Sequence, residues 1–124
     1  MDNITSATHE LLQFQLLLKI YHWQTHSYPK HIASDTLHSN ISKNIDLIVE
    51  TIQGEQNKRI KFTPHCVLEL DNQSDKSMLS LLKDFKKWID SDFVKMFPSS
   101  KFLISIKDDI VSDINQTLYL FTLE

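Results

Sequence analysis

Apolar residues recur along this chain at steps of three and four, the spacing of one face of an α-helix. Ala7, Leu11, Phe14, Leu18 and Tyr21 mark a first helical segment from about Thr5 to Thr25, and Leu12, Leu16 and Leu17 widen its stripe to two faces. Pro29 punctuates the link that follows and is expected to hold Tyr28 in extended conformation. Leu37, Ile41, Ile45, Ile48 and Ile52 define a second helix from His31 or Ile32 to Gln53, with Gly54 where a C-cap glycine belongs. A third segment starts at Ser74 as N-cap and carries Met78, Leu81, Phe85, Trp88, Ile89 and Met96, ending at the Phe97–Ser100 stretch "FPSS". A fourth runs from Lys101 towards the C-terminus on Leu103, Ile106, Ile110, Ile114, Leu118 and Phe121.

Between the second and third segments, residues 55–73 ("EQNKRIKFTPHCVLELDNQ") follow neither period, and Pro64 interrupts them. They read as a long connection holding a short helix or an extended piece, and a connection of that length crosses a small bundle or serves an interface. The pattern as a whole predicts an all-α fold: residues 1–124 as one antiparallel four-helix-bundle domain with a long connection between the second and third helices.

Composition agrees with this. One glycine in 124 residues leaves little provision for sheets and tight turns. A net charge of −3, with no Lys/Arg cluster at either end, disfavours direct DNA binding through phosphates. A lone cysteine, Cys66, cannot form an internal disulfide and is expected as a small buried apolar residue in a reducing, cytoplasmic setting. No secretory leader and no membrane-spanning run is expected from the apolar pattern.

The chemistry is concentrated in residues 22–50. Four of the six histidines (His22, His26, His31, His38) fall there, followed by Asp46 and Glu50. His31 and Asp35 are four apart, as are Asp46 and Glu50, so each pair shares a helix face and is able to chelate iron, manganese or zinc. The eleven residues between Asp35 and Asp46 turn three circles plus about 20°, which keeps both pairs on one stripe, but they rise roughly 16 Å. Metal–ligand bonds are only about 2 Å long, so one centre in one chain cannot use both pairs. The stripe flanks the isoleucine core instead of facing into it. Two chains packed about a twofold axis, with their second helices antiparallel, would set His31 and Asp35 of one against Asp46 and Glu50 of the other, making two identical sites. His22, at the end of the first helix, would complete each site. His26 and His38 are expected as solvent-exposed bystanders, with His38, on the ligand stripe, an alternative extra ligand, and Phe85 and Trp88 as core.

In this order and spacing the residues resemble the Dps family of mini-ferritins, the DNA-binding proteins from starved cells. The positions that carry the resemblance are His22 with Trp23, then His31, Asp35, Asp46 and Glu50. The link between the two histidines is about three residues shorter than that family's, "THSYP" replaces its glycine and phenylalanine, and its basic tail is missing. The resemblance implies a ferritin-like bundle, and a ferroxidase that oxidises Fe(II) with hydrogen peroxide or dioxygen at inter-subunit sites holding two irons, for iron detoxification or storage. Zinc or manganese would suit the same ligands. It further implies His22, His31, Asp35, Asp46 and Glu50 as ligands, Trp23 as a quencher of oxidising equivalents, and a homodimer or dodecameric cage. Short viral and phage members extend the expected location to a host cytoplasm or virion. The competing expectation is an inactive ferritin-like homo-oligomer with a structural or virion-associated role.

Overall fold

The computed structural model describes residues 1–123, whose secondary structure is helical with no strand. The helices are α1 (Asn3–Gln24), α2 (Tyr28–Gln56), α3 (Asp75–Asp90), a single turn α4 (Asp92–Met96) and α5 (Lys101–Leu120). The four long helices pack around one apolar core, α1 and α5 each lying against both α2 and α3. Large side chains from every long helix, among them Leu18, Tyr21, Ile48, Leu82 and Ile110, are essentially fully buried in it, with Phe93. No helix is long and apolar enough to cross a membrane.

Local chemistry sets where each helix starts. The Asp2 carboxylate accepts from Thr5 N at 3.0 Å and opens α1. Ser74 opens α3 through a reciprocal capping box with Ser77, their hydroxyls accepting from each other's backbone N–H at 3.0 and 2.9 Å. At the start of α2 the sequence expectation is corrected. Ser27 is the N-cap, and Tyr28 and Pro29 lie in the first helical turn instead of an extended link. Proline's missing N–H costs nothing in that turn and its fixed φ suits it.

The end of α2 is corrected too. Gly54 is not the cap; the helix continues to Gln56, and Asn57 takes the left-handed conformation (φ 51°) that ends it. Glu55 and Gln56 are good helix formers, and the Glu55 carboxylate is held by the Ser100 hydroxyl at 2.8 Å, so the extra turn is stabilised from α5. Gly54 is exposed and nothing lies within 4 Å of where a Cβ would be. Gly54→Ala is therefore expected to raise stability by about 0.5–1 kcal/mol, measured by urea unfolding. The third segment breaks at Ser91, whose hydroxyl donates to Lys87 O at 2.6 Å, and the short α4 then turns Phe93 into the core.

Residues 57–74 form no helix. They run along α1 from its start to its end: Lys61 N donates to Thr5 Oγ1 (3.1 Å), His9 Nε2 to Val67 O (2.8 Å), Glu69 N to Gln13 Oε1 (2.8 Å) and Gln73 N to Gln24 Oε1 (2.7 Å). The connection thus returns the chain to the end where α2 began, and α3 starts there, its Asp75 held by the Tyr21 and Thr25 hydroxyls at 2.8 and 2.9 Å. Burial foremost, with the Asp75 carboxylate acting the same way, pushes the Tyr21 phenol well above its usual range and keeps it a donor. Cys66, expected in the core, lies exposed on this connection.

Candidate metal centre

The three-residue link between α1 and α2 is what brings the histidines together. Thr25 caps α1 and its hydroxyl accepts from Ser27 N at 3.2 Å, so the chain reverses sharply. The last turn of α1 then faces the first turn of α2. His22 Nδ1 donates to His31 O at 2.8 Å, and His31 Nδ1 donates to His22 O at 2.7 Å. The two rings stack at 3.8 Å with 14° between their planes. The Ser34 hydroxyl supports the arrangement by donating to His31 O at 3.0 Å.

A carbonyl oxygen only accepts, so Nδ1 carries the proton in each ring. In the neutral imidazoles the lone pair is then on Nε2, and among the described residues no hydrogen bond to protein occupies either Nε2. Backbone carbonyls fixing the tautomer and orientation of a histidine are the usual outer partners of a metal ligand. The side chain of Asp35, about half exposed, lies next to this stack, its Oδ1 3.9 Å from His22 Nε2. An imidazole–imidazole–carboxylate donor set suits Fe(II), Mn(II) or Zn(II).

Lys19, one turn before His22 and Trp23, escapes the sequence reading. Its Nζ lies 3.7 Å from the same Asp35 oxygen and 5.7 Å from the centre of the Trp23 ring. Trp23 itself is 69% exposed. Tyr28 packs beside His31, with ring centres 6.5 Å apart.

Asp46 and Glu50 are exposed on α2, without an ion pair or hydrogen bond to any described residue. Among the described residues of one chain, no three His, Cys, Asp or Glu side chains are grouped to hold a metal. The structure thus joins His22, His31 and Asp35 at the α1–α2 corner and leaves Asp46 and Glu50 apart, further along α2. His26 is exposed, as expected. His38 is partly buried instead; burial first, then the Lys19 charge, holds its imidazole below the usual range.

Helical rotation places these groups on one outer face. Taking His22 as zero on α1, Lys19, Trp23 and Leu16 lie at about +60°, +100° and +120°, and the core residues Leu18, Phe14 and Tyr21 at about −40° to −100°. On α2, with His31 as zero, Asp35, Asp46 and Glu50 lie at about +40° to +100°, with Ile32 beside Glu50 and Leu47 near +160°, opposite in sense to the isoleucines. Antiparallel neighbours turn their positive sides the same way. The face therefore carries the acids together with Leu16, Trp23, Ile32 and Leu47, all of them exposed.

No curated protein and no solved structure matches the chain. Residues 22–121 match the model of a family of unknown function (DUF5856), a stretch that opens on His22 and takes in all five candidate ligands and Trp23. The chain belongs to that family.

Proposed function

We propose that this chain is a Dps-like ferroxidase: a ferritin-like antiparallel four-helix bundle, with one long crossover, that pairs through its α1–α2 face and oxidises Fe(II) between subunits. The observation that carries the reading is the His22–His31 stack, each ring tied through Nδ1 to the other residue's carbonyl and left with a free Nε2, with the Asp35 carboxylate alongside. Asp46 and Glu50, without partners on the same outer face, supply from a second copy what this half lacks. Exposed Leu16, Trp23, Ile32 and Leu47 are the apolar surface such pairing would bury.

Fe(II) is the substrate. Two Fe(II) ions give one electron each to one hydrogen peroxide, which takes up two protons and leaves as two waters. The imidazoles hold Fe(II), and the carboxylates stabilise the harder Fe(III) product. Trp23 stands at the rim of the centre as a donor for stray oxidising equivalents.

The inactive homo-oligomer is the second reading. It draws on the absence of any three-residue metal group within the described part of one chain. Anaerobic Fe(II) titration followed by peroxide, read by absorbance at about 300–350 nm, separates the two. Saturation near two irons per site with rapid oxidation is expected. An absorbance rise no faster than in protein-free buffer sinks the enzymatic reading.

A further inference from the structure

Lys19 takes no part in the ligand set, yet it occupies the same carboxylate. Its ammonium is 3.7 Å from Asp35 Oδ1, and His22 Nε2 is 3.9 Å from that same oxygen. The Lys19 side chain is 30% exposed, so its charge is partly withdrawn from solvent beside the carboxylate that a cation would seek. A cation bound between His22 Nε2 and Asp35 would lie within a few ångströms of the ammonium. Trp23, with Lys19 Nζ 5.7 Å from its ring centre, gives that ammonium a second seat one turn along α1.

We propose that Lys19 is the resident counter-cation of this centre: its ammonium holds the Asp35 carboxylate until a divalent cation displaces it, and so sets how tightly the centre takes metal. The inference rests on the metal reading above and concerns regulation of that site. Without metal, Asp35 has a paired and oriented carboxylate instead of a free one. With metal, the ammonium must retreat over Trp23. At roughly 5 Å in a water-like dielectric, repulsion between an ammonium and a divalent cation is worth about tenfold in binding.

Co(II) is the probe, its d–d absorption reporting ligation and its titration reporting affinity in the full-length chain. Lys19→Met keeps the apolar stem over Trp23 and removes the charge; it is expected to bind Co(II) about tenfold more tightly than wild type. Lys19→Arg restores a cation and is expected near the wild-type affinity. Lys30→Met removes a lysine from the same end of α2 without touching Asp35, and is expected to change affinity by less than about twofold. Equal or weaker binding by Lys19→Met, or equal tightening by Lys30→Met, overturns the counter-cation role; the metal reading then stands if Asp46→Ala/Glu50→Ala loses binding. Binding undiminished in that double variant, or absent from every protein, overturns both.

Discussion

Asp46→Ala combined with Glu50→Ala is expected to lower the rate of peroxide-driven Fe(II) oxidation by at least about 100-fold while leaving the fold as stable as before. The loss follows from ligand arithmetic. In the proposed centre His22, His31 and Asp35 would supply donors from one copy, and two carboxylates from the facing copy would complete it and stabilise Fe(III). Stability should not fall, because both side chains are exposed and neither pairs with a described residue. Like charges four apart on a helix cost about 0.2–0.5 kcal/mol, and alanine is the better helix former, so a slightly raised midpoint in thermal unfolding is expected. Lost oxidation accompanied by lost stability would instead mark these residues as structural.

Leu47→Arg should have the second large effect. Leu47 is 49% exposed in the single chain and follows Asp46 on α2, three residues before Glu50. In the register that sets His31 against Glu50 and Asp35 against Asp46, residue numbers on facing helices sum to 81. Leu47 then packs over the Ser34 turn of the other copy, close to Ile32. The proposed twofold would put two leucines into the interface, each replaced in the variant by a guanidinium. Taking a guanidinium out of water costs several kcal/mol, and the Glu50 carboxylate three residues on is committed to the proposed centre, so the variant is expected as a monomer by light scattering at concentrations where the proposed wild-type dimer forms, with oxidation lost in proportion. A Leu47→Arg chain that remains dimeric places the contact elsewhere on the molecule.

The helices were legible in the sequence because their spacing and caps are local: Ser74, and the leucine and isoleucine stripes, have meaning within one or two turns. The departures arose where one residue's own preference is overruled by another residue, near or distant. Gly54 suits a helix C-cap by itself, but the Ser100–Glu55 contact carries α2 one turn further, to Asn57. Pro29 reads as a breaker until Ser27 caps the helix and places it in the first turn. Cys66 sits in an apolar-looking run that lies on the outside of α1 instead of entering the core. Residue spacing also exposed the candidate ligands, since pairs at i, i+4 fix a face. The reciprocal histidine–carbonyl bonds were hidden, because they join side chains to backbone across a link and leave no residue-type signature. Lys19 had a signal, one turn before both His22 and Trp23, that becomes informative only once the α1–α2 corner is closed.

Subunit complementation asks whether the proposed centre is shared between two copies. One chain carries His31→Ala and Asp35→Ala; the other carries Asp46→Ala and Glu50→Ala. Each alone should be inactive, since every site lacks two of its five ligands. Co-expressed, random pairing makes about half of the dimers mixed, and each mixed dimer holds one intact site of its two. Fe(II) oxidation is therefore expected to return to about a quarter of the wild-type level per chain. Mixed dimers that form, as shown by differently tagged chains co-purifying, and still oxidise no Fe(II) would contradict a centre built across the subunit interface.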